Sequence, residues 1–330
     1  MAALVYNEKY RVRDAAEMLA RPSILTQKVP PMTAVRWTRH RRRVLAGYLY
    51  ISPWLIGFVC FSFGPILASL WLSFTNYSIS TPRFIGLQNY QFMLFKDPLF
   101  WGSVRRTLYF AMSVVLLGIS GSLGLALLLN TGLRGVRFYR TAFFLPSVIP
   151  IVSSALLWDW FLQPEYGLAN GLLRMINITG PEWLDGRAWA IPSIVLIRLW
   201  ATVGGTQMIV FLAGLQGIPQ ELYDAAHVDG ADRRHQFWHI TLPLLSPTLF
   251  FNLVIGVIGG LQVFAVAYVL TEGGPAYATW FYLLHLYDQA FRNLEIGYAS
   301  AMAWFFLLIV MALTLVQFSI SRRWVYYETE

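Results

Sequence analysis

The sequence predicts an all-α membrane protein with six transmembrane helices, and three observations carry that prediction. Hydrophobic residues make up 57% of the 330 and charged residues only 13%, against about 25% charged in an ordinary soluble chain. The charges are also segregated: no Asp, Glu, Lys or Arg occurs in 44–82, 107–133, 141–158, 199–220, 240–271 or 296–321. Each of these runs matches or approaches the roughly 20 apolar residues that cross a bilayer as a helix. Polarity does not alternate along them as it would in barrel strands, so the spans are helices.

In chain order, residues 1–45 form a basic tail. It holds ten basic and three acidic residues up to position 43, which supplies +7 of the formal net charge of +8. The basic balance is therefore local, suited to anionic lipid headgroups beside the first span, and no sign of a nucleic-acid surface. Within it, Asn7 to Ala20 reads as a short amphipathic helix ending before Pro22. One membrane domain succeeds it over 46–322, with spans near 47–74, 107–130, 141–163, 189–215, 244–270 and 298–320, then a tail at 323–330. Pro53 and Pro65 predict a kink in the first span. The segments Phe84 to Tyr90 and Asp97 to Trp101 read as an external loop of turn residues and interfacial aromatics. Between spans three and four, the Gly and Asn spacing around Leu172 and Leu173 fits a short helix on the outer surface. Thr271 to Pro275 closes span five with a turn, and Tyr282 to Phe291 forms a short amphipathic piece before span six.

Orientation comes from the basic residues. With six spans, the two termini share a side with the loops after spans two and four, and that side holds 17 Lys and Arg against 7 on the other. Both termini are thus expected in the cytoplasm. Cys60 is the single cysteine, so no intramolecular disulfide forms.

Catalytic chemistry is wanting. The three lysines, Lys9, Lys28 and Lys96, lie in no Gly-rich phosphate loop. No nucleophile elbow and no Cys/His cluster occurs. His235 and His239 are four apart on a helix, and the simpler reading is a pair of polar-face histidines. Buried carboxylates of the proton-relay kind and internal repeats are also missing, which weighs against the alternative of an ion-gradient-driven secondary carrier. The chain offers a path through a membrane without its own engine.

The polar insert at 216–243 is the most patterned segment. Pro219 suits a first helical turn, and Glu221 and Asp224 complement that end of the helix dipole. Leu222, Ala225 and Ala226 share a face, the two alanines keeping it flat enough for close approach. Asp229 and Gly230 end the helix with a left-handed turn. A second helix carries Phe237 and Ile240 on an apolar stripe before Pro243 breaks into span five. Helix, turn and helix should lie across the cytoplasmic face and meet a partner.

This insert resembles the signature loop of the permease subunits of ABC (ATP-binding cassette) importers: Glu-Ala-Ala, three residues, Gly, nine residues, Ile-x-Leu-Pro. Asp224-Ala225-Ala226, Gly230 and Ile240-Thr241-Leu242-Pro243 fall on that spacing, with Asp224 in place of the usual Glu. The longer match from Leu215 to Ala231 is similar to the carbohydrate-uptake branch, the maltose- and glycerol-3-phosphate-type permeases. Gly86 to Tyr90, Leu145-Pro146 with Pro150, Ala213 to Gln216, Leu270 to Pro275 and Gly297 to Ala301 agree as well. The resemblance covers about residues 46–322.

It implies a type I ABC importer permease fold in the cytoplasmic (inner) membrane of a bacterium or archaeon. The loop would be a coupling helix, in which Asp224 pairs with a basic residue of an ATPase, Ala225 and Ala226 pack in its groove, and Gly230 turns the chain. Glu221, Leu222, Asp229, Ile240, Leu242 and Pro243 complete that surface. The implied partners are a second homologous permease, two ATPase subunits, an extracytoplasmic solute-binding protein, membrane lipid and a sugar substrate, with no nucleic acid. No cofactor is expected in this chain; ATP and Mg belong to the partner ATPase.

By the same resemblance spans four and five line the substrate path, with Gln207 among its residues. Gly256, Gly259 and Gly260 leave room beside Gln262 and Phe264, or else permit close helix packing. Trp200 either stacks on a sugar ring or anchors the membrane interface. Arg198, costly inside a span, either binds an anionic sugar or phosphorylated polyol or snorkels to the outer surface. The expected function is ATP-driven import of a sugar or oligosaccharide by alternating access.

Overall fold

A computed structural model describes residues 32–78, 82–131 and 134–326, with side chains from Arg41 onward. The N-terminal helix expected at Asn7 to Ala20 lies outside the described residues. Among the described residues every named element is helical, and the only β pairing is an isolated bridge between Thr75 and Phe84. The chain divides into two compact units at Ile66/Leu67.

In the first unit, helix α1 (Met32–Phe58) carries Pro53 and runs into a π-turn at Val59–Phe63. That wider turn stands just ahead of Pro65, whose ring cannot follow a regular turn and whose nitrogen has no proton to donate. Its apolar side chains are exposed, as at Leu49 (66%) and Phe61 (85%), and Cys60 is a free, exposed thiol.

The second unit begins with α2 (Gly64–Leu72) from Leu67 onward. The segment after α2 is more ordered than the expected loop of turn residues, because α3 (Gln88–Phe95) forms within it. The buried amide of Asn89 donates to the carbonyls of Ser73 and Thr75 at 2.9 and 2.8 Å, which fixes that helix on the end of α2. Helix α4 (Phe100–Leu129) starts seven residues before its uncharged run and includes Arg105 and Arg106. Long arginine stems can lie along a helix end while the heads reach polar surroundings, so the charges do not set the boundary. Its buried residues, among them Thr107, Phe110, Ala111, Val114, Val115, Gly118, Ser122 and Ala126, recur at helical spacing and form the spine of the unit.

Spans three and four are not straight. Helix α5 (Val136–Phe144) and a 3-10 turn (Leu145–Val148) meet α6 (Ile151–Phe161) at 96°. Pro150 forces the preceding Ile149 into an extended conformation, ψ 129°, which ends the helix there. Helix α7 (Leu168–Met175) is the short helix expected in the next connection. It is pinned by Asn170, which accepts from the Trp183 indole at 2.7 Å and donates to the carbonyls of Pro164 and Pro181. Helices α8 (Ala190–Val203) and α9 (Thr206–Gln216) bend by 42° at Gly204 and Gly205.

The polar insert then folds as α10 (Gln220–Val228) and α11 (Arg233–Gln236). The expected break at Pro243 does not occur. A π-turn at Phe237–Thr241 carries the chain into α12 (Leu242–Leu244), where Pro243 sits in the first turn and its missing N–H costs nothing. The chain re-enters a helix one residue after Leu245, in α13 (Ser246–Leu261). A break at Gln262–Phe264 separates it from α14 (Ala265–Leu270). Helix α15 (Tyr282–Tyr287) with a π-turn at Asp288–Arg292 forms the short piece expected before α16 (Ile296–Ser321). Among the described residues, four helices are long and apolar enough to cross a membrane, or up to six if each bent pair is one span.

A buried polar cluster ties the loop before α4 to α15 and α16. Asp97 accepts from His285 Nε2 at 2.7 Å, from the Tyr298 hydroxyl at 2.5 Å and from the Leu99 N–H at 2.8 Å. The Trp280 indole can only donate, so it fixes His285 Nδ1 as acceptor and leaves the ring proton on Nε2, facing Asp97. Burial pulls the Asp97 carboxyl up, but the hydrogen bonds from His285, Tyr298 and Leu99 outweigh it and hold it at about 2.

This packing makes two outcomes measurable. A depressed carboxyl stabilises the fold above its unfolded value of 3.8 and loses that contribution as pH falls through its folded value of about 2. The melting temperature of the purified protein should therefore drop between about pH 4 and pH 2, and Asp97→Asn should flatten that drop while costing about 1–2 kcal/mol near neutrality. At Gly260 a Cβ would stand 3.1 Å from the Ala111 Cα. Gly260→Leu should thus force α13 off α4 and cost about 1–3 kcal/mol, read as a lower melting temperature.

Candidate functional site

Two places in the second unit gather the predicted residues. The first is the insert. Glu221 lies in the first turn of α10, and Leu222, Asp224, Ala225 and Val228 are exposed, Val228 by 87%. Gln220 Nε2 donates to Asp224 Oδ1 at 3.3 Å. The helix closes with a Schellman turn: the Ala231 N–H reaches the Ala226 carbonyl at 2.9 Å and the Gly230 N–H reaches the His227 carbonyl at 3.1 Å. Gly230 adopts φ +81°, and a Cβ there would meet nothing within 4 Å. Glycine is required at this position for its backbone conformation, not for space.

Asp232 then caps α11 by accepting from the His235 N–H at 2.7 Å. Gln236 donates to the Ala231 carbonyl at 3.1 Å, and the Tyr223 hydroxyl meets buried Thr241 Oγ1 at 3.0 Å, which locks the two helices together. Between them runs an open groove of about 600 Å³ lined by Ala226, Asp229, Gly230, His235, His239 and Ile240. The His235 and His239 rings stack at 4.1 Å, and His239 Nδ1 lies 3.0 Å from the His235 carbonyl. Ile240, Leu242 and Pro243 are half-buried at the root of the second helix.

The second place is a pair of cavities that share Arg198. One, of about 290 Å³, is lined by Ser147, Ile149, Ile151, Ser154, Thr202, Thr206 and Gln207 as well as Arg198. The other, of about 200 Å³, adds Phe110, Gly259, Gln262 and Phe264. Residues flanking three helix breaks contribute to the lining: Ile149 and Ile151 around Pro150, Thr202 and Thr206 around Gly204–Gly205, and Gln262 to Phe264. Among the described residues the Arg198 side chain has no hydrogen-bond partner, and only its carbonyl is used, by the Thr202 hydroxyl at 2.7 Å. Gln207 Oε1 accepts from Ser122 at 3.4 Å. A Cβ on Gly118 or Gly256 would come within 3.6 or 3.4 Å of the Gln207 amide, so these glycines make its seat between α4 and α13. Gly260, on the same helix as Gly256, packs instead on Ala111.

Trp200 stands apart. It meets Trp158 edge-on at 5.6 Å and lines a separate, mainly apolar groove of about 760 Å³ with Gly121, Gly124 and Leu128. Arg198, Gln207, Gln262 and Phe264 therefore come together and Trp200 does not join them. Sequence reasoning misses Ser147, Ile149, Thr202 and Thr206. The signal that would find them is Pro146, Pro150 and the Gly204-Gly205 pair inside otherwise apolar runs, because a broken span needs partners for the backbone groups it frees.

Residues 118–326 match the family described as the binding-protein-dependent transport system inner membrane component. The chain is 41% identical to the probable ABC transporter permease protein YesP of Bacillus subtilis, over 88% of this chain and 94% of that one. It is 33% identical to the sulfoquinovosyl glycerol transport system permease protein SmoG of Agrobacterium fabrum, over 87% and 94%. Among solved structures, a bacterial ABC transporter involved in import of the acidic polysaccharide alginate superposes with a TM-score of 0.78 at 27% identity, covering 87% of this chain and 99% of that one. Both relatives are named as permease proteins of transport systems. This chain belongs to the binding-protein-dependent transport system inner membrane component family, as a sugar-type ABC importer permease subunit.

Proposed function

We propose that this chain is one of two permeases in an importer that takes a sugar or oligosaccharide from an extracytoplasmic binding protein and passes it inward by alternating access. The observation that carries the reading is the insert: a short helix with exposed side chains, closed by a glycine turn and clamped to a second helix. On this reading each bent helix pair is one span, six spans cross the membrane, and both termini and the insert face the cytoplasm. Two ATPase subunits supply ATP and Mg chemistry, and α10 docks in a groove on one of them. Asp224 pairs there with a basic residue, while Ala225 and Ala226 allow close approach. The relatives being ABC permeases, an ion-gradient-driven carrier is left without support.

The substrate path runs through the Arg198 cavities. Helices α6 and α9 begin at Ile151 and Thr206, both in the cavity wall, so two positive dipole ends face the same space as an unpartnered guanidinium. Such a site favours a saccharide bearing a carboxylate, sulfonate or phosphate. Alginate and sulfoquinovosyl glycerol, named for relatives, are cargoes of that kind.

Two outcomes test this. Ala226→Arg and Gly230→Asp should each abolish uptake in a reconstituted complex that still assembles and still hydrolyses ATP; uptake at the wild-type rate would sink the coupling role. Arg198→Ala should reduce uptake of anionic saccharides about 10- to 100-fold, the loss of one charge-assisted hydrogen bond or two, with little change for neutral ones. Equal uptake of both classes by the variant and the wild type would dismiss Arg198 as a ligand.

A further inference from the structure

Beyond the Arg198 cavities lies a run of aromatic contacts that joins none of the hydrophobic cores among the described residues. It starts at Phe264, which lines the smaller cavity with Arg198. Phe264 stacks on Tyr268 at 5.5 Å and 22° and meets Tyr287 at 5.1 Å. Tyr268 and Tyr287 are 5.3 Å apart, and Tyr287 reaches Phe291 at a further 5.1 Å. The Arg292 guanidinium stands 5.8 Å from the centre of the Tyr268 ring. All four rings retain accessible surface, and Phe291 is 67% exposed.

The two ends of this ladder sit in different surroundings. At the outer end Arg292 pairs loosely with Asp288 at 3.6 Å and Glu272 at 3.7 Å, and the Arg292 and Glu272 side chains are 45% and 72% exposed. A charged group of that exposure belongs in water or among headgroups, since hydrocarbon would cost it several kcal/mol (about 2.5–3.5 on insertion scales). At the inner end Phe264 and Gln262 face Arg198. The ladder therefore leads from a polar surface to the charged cavity.

We propose that Phe264, Tyr268, Tyr287 and Phe291 form an outer saccharide track that delivers an oligosaccharide to the Arg198 cavity. A pyranose or furanose ring has apolar C–H faces and a rim of hydroxyls. The track answers with aromatic faces and, at its edges, the phenol hydroxyls of Tyr268 and Tyr287 and the Gln262 amide. The proposal rests on the importer reading above and adds to it a place.

The test uses the complete importer in proteoliposomes, with ATP-dependent uptake of labelled maltotriose, arabinotriose and trimannuronate. For the trisaccharide the wild type carries, Tyr287→Leu and Phe291→Leu should each raise KM about 3- to 10-fold with kcat unchanged, the scale of one lost aromatic contact. Tyr287→Phe, which keeps the ring and loses only a hydroxyl, should raise KM less than Tyr287→Leu does. A wild-type KM in both leucine variants would overturn the track, because neither ring would then contribute to saccharide uptake. Should Tyr287→Leu fail to assemble, Phe291→Leu decides alone, its side chain being the most exposed of the four. No ATP-dependent uptake of any of the three by the wild type would instead overturn an oligosaccharide cargo, and the track with it.

Discussion

A backbone N–H or C=O in hydrocarbon has no water to turn to, and this constraint organises the molecule. It explains why the described residues are almost wholly helical and why large apolar side chains such as Leu128, Trp160 and Phe318 can stay exposed. It also dictates where helices can stop. A break is tolerated only where protein or a water-filled cavity takes up the freed groups. Residues beside the breaks at Ile149–Pro150 and Gly204–Gly205, and those of the break at Gln262–Phe264, line the same pair of cavities. Helix α4 runs unbroken beside them, and its small and polar residues Ala111, Gly118 and Ser122 let α9 and α13 approach closely.

Two charged groups show how differently the fold treats polarity. Asp97 is held by three donors, and its partner His285 is fixed in turn by Trp280, so every group in that cluster is satisfied. A network of that completeness fixes a loop against α15 and α16 and has no free capacity for a ligand. Arg198 is the reverse case: a guanidinium with five donors, no partner among the described residues, and two helix N-termini aimed into the same cavity. Completeness suits Asp97 to a scaffold, and the open donors of Arg198 are what the proposed substrate site rests on.

Charge segregation in the sequence is enough to find the helices, since every long uncharged run coincides with helical segments. Spacing is enough to find the insert, and the Schellman turn at Gly230 is the conformation that spacing requires. The failures have a common cause. Hydropathy is blind to backbone breaks, so the 96° corner at Pro150 and the 42° bend at Gly204 pass for straight spans. Proline, conversely, is easily over-read, as at Pro243, where the π-turn before it shifts the ring into a first turn that accommodates it. Trp200 and Arg198, two residues apart, look like neighbours in one path. On a helix such a spacing turns side chains to different faces, and they line separate spaces.

The continuity of the chain from insert to cavity gives the site a mechanical logic. Helix α11 runs through the π-turn and α12 with only Leu245 between it and α13, and Leu245 is fully buried in the core shared with α4 and α9. In the proposed coupling, a displacement of α10 would pass to the π-turn through the Tyr223–Thr241 hydrogen bond and to α11 through the closed turn at Gly230. Packed interiors transmit strain because they lack the free volume to absorb it. The next compliant point along the chain is then the break at Gln262–Phe264, which lies in the cavity wall beside Arg198. In the proposed importer, a push on the polar insert would therefore reach the cavity wall at this break, where the aromatic ladder begins.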